Sequence, residues 1–144
     1  SFSLYFLLGL FQFTVTTAAL ASTGSKVRIT VTLGRVSINI AAASTVAFRL
    51  MRDSTAIGIG DAASLRIQTS FIVDVGRNLN YSGGGFTFIW YDSPAAASAF
   101  TYKLQMATEA AAQGYINRNY NYLDETIVYS GVSASSITAE ELSS

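Results

Sequence analysis

Apolar and polar residues alternate one by one along much of this chain, and that period dictates the backbone it can adopt. Val27, Ile29, Val31 and Leu33 alternate with Lys26, Arg28, Thr30 and Thr32. Successive side chains of an extended strand point to opposite faces, so this run is aliphatic on one side and polar on the other. The pattern recurs. Phe11, Phe13 and Val15 alternate with Gln12, Thr14 and Thr16, and Phe48 and Leu50 flank Arg49. Residues 65–75 alternate in part. Phe86, Phe88 and Trp90 are in phase, as are Phe100, Tyr102, Leu104 and Met106. Val36, Ile38 and Ile40 form a further run after Gly34-Arg35, which reads as a hairpin corner. Residues 127–129 and 137–139 close the series. Turn clusters separate these runs at Ser22-Thr23-Gly24-Ser25, Gly58-Ile59-Gly60-Asp61, Ser82-Gly83-Gly84-Gly85 and Asp92-Ser93-Pro94. About nine short strands with turns between them predict an all-β sandwich or jelly roll. Residues 108–113 have local helix propensity, but they are short and flanked by strands, so they read as a turn or loop. Residues 140–144 read as a fraying terminus.

Composition adds assembly to this reading. The 144 residues suit one domain, with residues 1–25 as an apolar N-terminal strand and assembly segment and 26–144 as the compact head. Half of the residues are hydrophobic and 12% are charged, about half the usual share of roughly 25%. Surplus apolar surface with few charges calls for a partner subunit to cover it, so a homo-oligomer or polymer is expected. Nine Lys and Arg balance nine Asp and Glu, which leaves no field to attract nucleic acid or an acidic membrane. Cysteine and histidine are absent. Disulfides, zinc sites and the usual nucleophile–base pairs are thereby excluded, and no enzyme, cofactor or metal is expected.

Residues 1–13 hold the block Leu4-Tyr5-Phe6-Leu7-Leu8-Gly9-Leu10-Phe11. It is shorter than the roughly 20 apolar residues of a membrane-spanning helix, so no membrane insertion is expected. It lacks the basic start of a signal peptide, and a chain beginning at Ser1 without Met suggests a processed or trimmed product. It reads as a buried strand, as a segment inserted into a neighbouring subunit, or as a processed export or pilin-type segment. Leu4, Phe6, Leu8, Phe11 and Phe13 are therefore assembly candidates. So are the in-phase aromatics Phe86, Phe88, Trp90, Phe100 and Tyr102, which suit either the core or a subunit interface.

Little else carries chemistry. The glycine clusters precede no helix and carry no phosphate-loop Lys-Ser/Thr. Asp92, with Ser93 and Pro94, reads as a structural turn in which the carboxylate caps nearby backbone N–H groups. Calcium ligation by Asp92 is the alternative reading. Arg49, Arg52 and Asp53 read as a solvated strand end, or as ion pairs between subunits. The Tyr/Asn-rich stretch supplies the best recognition residues: Tyr115, Asn117, Asn119, Tyr120, Asn121 and Tyr122. Tyrosine offers a rigid amphipathic face and asparagine adaptable hydrogen bonds, a composition suited to sugars or proteins. An ordered loop packed on its own subunit is the structural alternative.

Two linked stretches bear a resemblance. Trp90-Tyr91-Asp92-Ser93-Pro94, an Ala/Ser bend and Thr101-Tyr102-Lys103-Leu104-Gln105 are followed by Tyr115-Ile116-Asn117-Arg118, a polar loop with Asp124, and Ser135-Ser136-Ile137-Thr138 with Glu140 or Glu141. In this order they resemble the C-terminal head module of cyanophage and marine-phage tail fibres and related aquatic-virus proteins. Upstream, residues 48–53 and Ile57-Gly58-Ile59-Gly60-Asp61 resemble that module's Arg/Thr/Ile-Gly hairpin, so the likeness covers residues 27–142. The bend is alanine-rich where the family favours threonine, the polar loop is unusually rich in tyrosine, and residues 1–13 lie outside the module. The resemblance implies a tumour-necrosis-factor-like jelly roll, a homotrimer, and a non-enzymatic fibre head binding a host-surface glycan or protein. It places the chain on a virion or an extracellular appendage. The competing expectation is a self-polymerising, pilus-like filament subunit that donates residues 1–13 as a strand to its neighbour.

Overall fold

The computed structural model describes residues 13–39, 45–76, 83–108, 112–120 and 126–142. They form nine strands and a single 3-10 turn: β1 (Thr14–Thr16), β2 (Lys26–Ile38), β3 (Thr45–Arg52), β4 (Thr55–Ile57), β5 (Phe71–Asp74), β6 (Gly84–Asp92), β7 (Thr101–Thr108), β8 (Gly114–Ile116), the 3-10 turn Val128–Ser130, and β9 (Ser136–Leu142). Two antiparallel sheets result. One runs β1-β7-β3-β4, with β5 also on β3, and the other runs β6-β2-β8, with β9 also on β2. The chain passes back and forth between them, as a β-sandwich requires.

The alternation reads out directly as burial. Val27, Ile29, Val31 and Leu33 of β2 face Val46, Phe48 and Leu50 of β3 and Tyr102 and Leu104 of β7 in one core. Each fully buried aliphatic side chain stabilises the fold by about 1.5–3 kcal/mol in transfer free energy. Phe48 stacks on Phe71 at 4.8 Å, and Phe71 stacks on Phe88 of the opposite sheet at 4.9 Å. That aromatic column ties the two layers together.

Three sequence expectations are corrected. Gly34-Arg35 is not a hairpin corner, because β2 continues through it as one strand of 13 residues with a register shift between Leu33 and Val36. Gly34 lies beneath the loop before β9, where a Cβ would collide with the Ala134 carbonyl oxygen. The bulge falls where β2 changes neighbour on one side, from β9 at residues 26–32 to β8 at residues 36–38. Residues 127–129 are not a strand, since Val128–Ser130 forms the 3-10 turn. The C-terminal residues 140–142 do not fray, being paired with Lys26, Val27 and Arg28. Glu141 anchors this end by accepting the Ala21 N–H at 2.7 Å. The Ser25 hydroxyl, and then the Ala21 amide, hold its carboxylate below the usual glutamate range.

Candidate functional site

The recognition segment splits into scaffold and surface. β8 pairs Tyr115 with Ser37 and Ile116 with Val36, which fixes the segment at the bulged end of β2. Asn117 is buried and adopts φ 66°, a left-handed conformation that asparagine tolerates. Its N–H donates to the Arg35 carbonyl at 2.8 Å, its carbonyl accepts the Ser133 N–H at 2.9 Å, and its Oδ1 accepts the Ser135 hydroxyl. Asn119 is 1% exposed and its Oδ1 accepts the Tyr120 N–H. The Ser37 hydroxyl donates to the Arg118 carbonyl at 2.8 Å. Both asparagines therefore hold the loop and offer no side chain to a ligand. Tyr115 and Tyr120 remain partly exposed, with ring centroids 6.3 Å apart and the Arg118 guanidinium 4.3 Å from the Tyr115 ring centre. Asn121 and Tyr122 lie outside the described residues.

The assembly candidates divide too. Leu4, Phe6, Leu8 and Phe11 lie outside the described residues. Phe13, Phe100 and Tyr102 belong to the core of this same chain, so they are not interface residues on its surface. Their alternation phase points between the two sheets, and the chain itself fills that space. Phe86 and Phe88 are half-buried against the same core. Trp90 retains 38% exposure and lies over Gly58, whose φ is +57° and whose position would put a Cβ 2.8 Å from the indole.

Asp92 corrects the turn reading. It is the last residue of β6 and it is buried. The Arg52 guanidinium donates to both of its oxygens through Nη1, at 2.8 and 2.9 Å, and the Tyr102 hydroxyl donates to Oδ2 at 2.8 Å. Strand ends from both sheets thus meet on one carboxylate. Burial, then the Asp92 hydrogen bond, pushes the Tyr102 hydroxyl well above the ordinary tyrosine range. Both Asp92 oxygens are thus engaged by protein donors, a guanidinium and a hydroxyl. Asp53 also stays within the chain. It accepts the Thr101 N–H and donates its own to the Thr101 carbonyl. Arg49 donates to Gln105 Oε1 through Nε and Nη2.

A surface that sequence reasoning did not single out is the outer face of the β6-β2-β9 sheet. Register places residues side by side across three strands. Tyr91, Arg28 and Glu140 form one row. Ile89, Thr30 and Thr138 form the next, and Thr87, Thr32 and Ser136 the third. Arg28 is ion-paired to Glu140, and Glu140, then the Tyr91 hydroxyl, hold its guanidinium more firmly protonated. Tyr91 is 55% and Ile89 49% exposed. The signal was present in the polar phase of each strand, but the register that assembles it was not. Among the described residues no cluster of acidic side chains could hold a metal, and no helix is long and apolar enough to cross a membrane. The described residues of this face present an aromatic ring, an aliphatic side chain, hydroxyls and one ion pair. No family model, curated protein or solved structure matches this chain.

Proposed function

We propose that this chain is a non-enzymatic adhesive module of an extracellular or virion fibre, a jelly-roll head that forms a homotrimer and binds a host-surface glycan or protein. The observation that carries the reading is a two-sheet sandwich that leaves large apolar side chains uncovered. Leu65 is 97%, Val128 94%, Val132 71% and Ile72 61% exposed in the single chain. A neutral chain with so few charges gains by burying such groups against copies of itself. Closed three-fold assembly is one way to do so, and three copies of a weak site reinforce one another. The resemblance to phage fibre heads supports the same reading. Light scattering on the native protein tests it. A discrete mass of three chains is expected, and a monomer would refute the assembly.

The strand-donating filament subunit is the second reading, and β1 favours it. This three-residue strand sits at the open edge of β7, and its ladder is extended by the Leu104 N–H bonding to the Phe13 carbonyl. Strand addition at such an edge is how donated segments polymerise subunits. Deleting residues 1–13 separates the two readings. A fibre head stays a soluble trimer, whereas a filament subunit loses an open-ended mass distribution.

A further inference from the structure

We infer that the outer face of the β6-β2-β9 sheet is a binding platform for neutral oligosaccharides, with Tyr91 as its stacking residue. The inference rests on the adhesive reading above and moves its ligand contact from the Tyr115–Tyr122 loop to this sheet face. The face combines two kinds of surface that sugars need together. Tyr91 and Ile89 give β6 an exposed aromatic ring beside an aliphatic side chain. A pyranose presents C–H groups on its ring faces, and these pack on an aromatic face. Across β2 and β9 the neighbouring groups are hydroxyls: Thr30, Thr32, Thr138 and Ser136. Each hydroxyl both donates and accepts, as sugar hydroxyls do. Strands lie about 4.8 Å apart and same-face residues about 6.8 Å apart along a strand, so the polar groups form a regular grid beside the ring.

The charges select among ligands. Arg28 and Glu140 neutralise one another in the Tyr91 row, leaving a planar donor set and a carboxylate acceptor next to the ring. Lys26 ends the β2 column at the rim, beside Leu142. An anionic ligand would have to compete with Glu140 for Arg28, whereas a neutral sugar can bond to both without breaking the pair. A hydroxyl-lined face suits a second copy of the chain less well. Packing it dry would leave hydroxyls needing new partners.

The test is a titration of the isotope-labelled full chain, followed by backbone amide resonances, with cellohexaose, chitohexaose and maltohexaose, and with 3′-sialyllactose as the acidic probe. Saturable shifts are expected at residues 28–32, 87–91 and 136–140 with at least one neutral hexasaccharide. Tyr91→Ala should weaken that binding at least tenfold and Thr30→Val severalfold, while Thr55→Ala on the other sheet should leave it unchanged. Tyr91 and Thr55 are both exposed, so neither change removes a core contact. No saturable shift with any neutral probe overturns the inference. So does binding that survives Tyr91→Ala, shifts confined to residues 112–120, or a response to 3′-sialyllactose alone. Light scattering on the same samples keeps the two proposals apart. A trimer without sugar binding removes only the platform, and a monomer that binds through Tyr91 removes only the trimeric head.

Discussion

The carboxylate of Asp92 joins strand ends of both sheets at one point. It holds β6 to Arg52 of β3 and to Tyr102 of β7, so removing its charge leaves a guanidinium with 21% side-chain exposure without its partner. Breaking one side of such a pair costs about 3 kcal/mol. Asp92→Asn should lower unfolding stability in urea by about that amount, whereas Tyr102→Phe, which leaves the ion pair intact, should cost about 1 kcal/mol. Tyr102 also sets an alkaline limit. Its folded pKa is raised above the unfolded value of about 10, so its contribution is complete below pH ~10 and declines as pH rises beyond. The thermal midpoint should fall more steeply above pH ~10 in the native chain than in Tyr102→Phe. Gly58 is the second sensitive position. At φ +57° with the indole of Trp90 against it, Gly58→Ala should cost about 1–3 kcal/mol and shift Trp90 emission as the ring is displaced. Part of this was legible. Asp92 stands two residues beyond Trp90, in phase with the aromatics, and so shares their inward face. Its partner was not legible, because Arg52 lies 40 positions away and nothing local announces it.

Among the elements, β2 is the hinge of the whole topology. It pairs with β6 along one edge and with β9 and β8 along the other. Its inward residues are fully buried while Arg28 is exposed and Thr30 and Thr32 are half-exposed. Ile29→Ala should therefore cost about 2–5 kcal/mol and Thr30→Ala less than about 1 kcal/mol, as measured by denaturant unfolding. Equal costs would mean that the two faces are not distinguished. The strands themselves were readable, because period two is a one-residue rule that needs no partner. Gly34 was misread because a glycine inside alternating residues looks the same whether it turns the chain or bulges it. What decides is the pair of strands, β8 and β9, that divide one edge of β2 between them. Residues 127–129 were misread for a related reason. An apolar triplet suits a strand, yet among the described residues no strand pairs with it, and Val128 stays 94% exposed.

For the whole molecule, the argument turns on where its apolar side chains end up. The exposed ones come from several elements. Leu65 and Ile67 lie in the loop between β4 and β5, Ile72 on the outer side of β5, Ile89 and Tyr91 on the outer side of β6, and Val128 and Val132 before β9. A monomer leaves all of them in water, whereas the proposed assembly buries some of them against a second copy. In the proposed oligomer, assembly is part of folding stability. For a trimer that folds and assembles together, each tenfold rise in chain concentration adds about 0.9 kcal/mol per chain, two-thirds of the ~1.4 kcal/mol that a tenfold change in an equilibrium constant represents. A dimer would gain about 0.7 kcal/mol and a monomer nothing. Thermal midpoints measured over two decades of concentration should therefore rise steadily. Leu65→Ser and Val128→Ser should flatten that rise, because they remove surface that only a neighbouring copy can bury. Midpoints independent of concentration would mean that these side chains are simply exposed, and that the low charge of the chain serves something other than self-association.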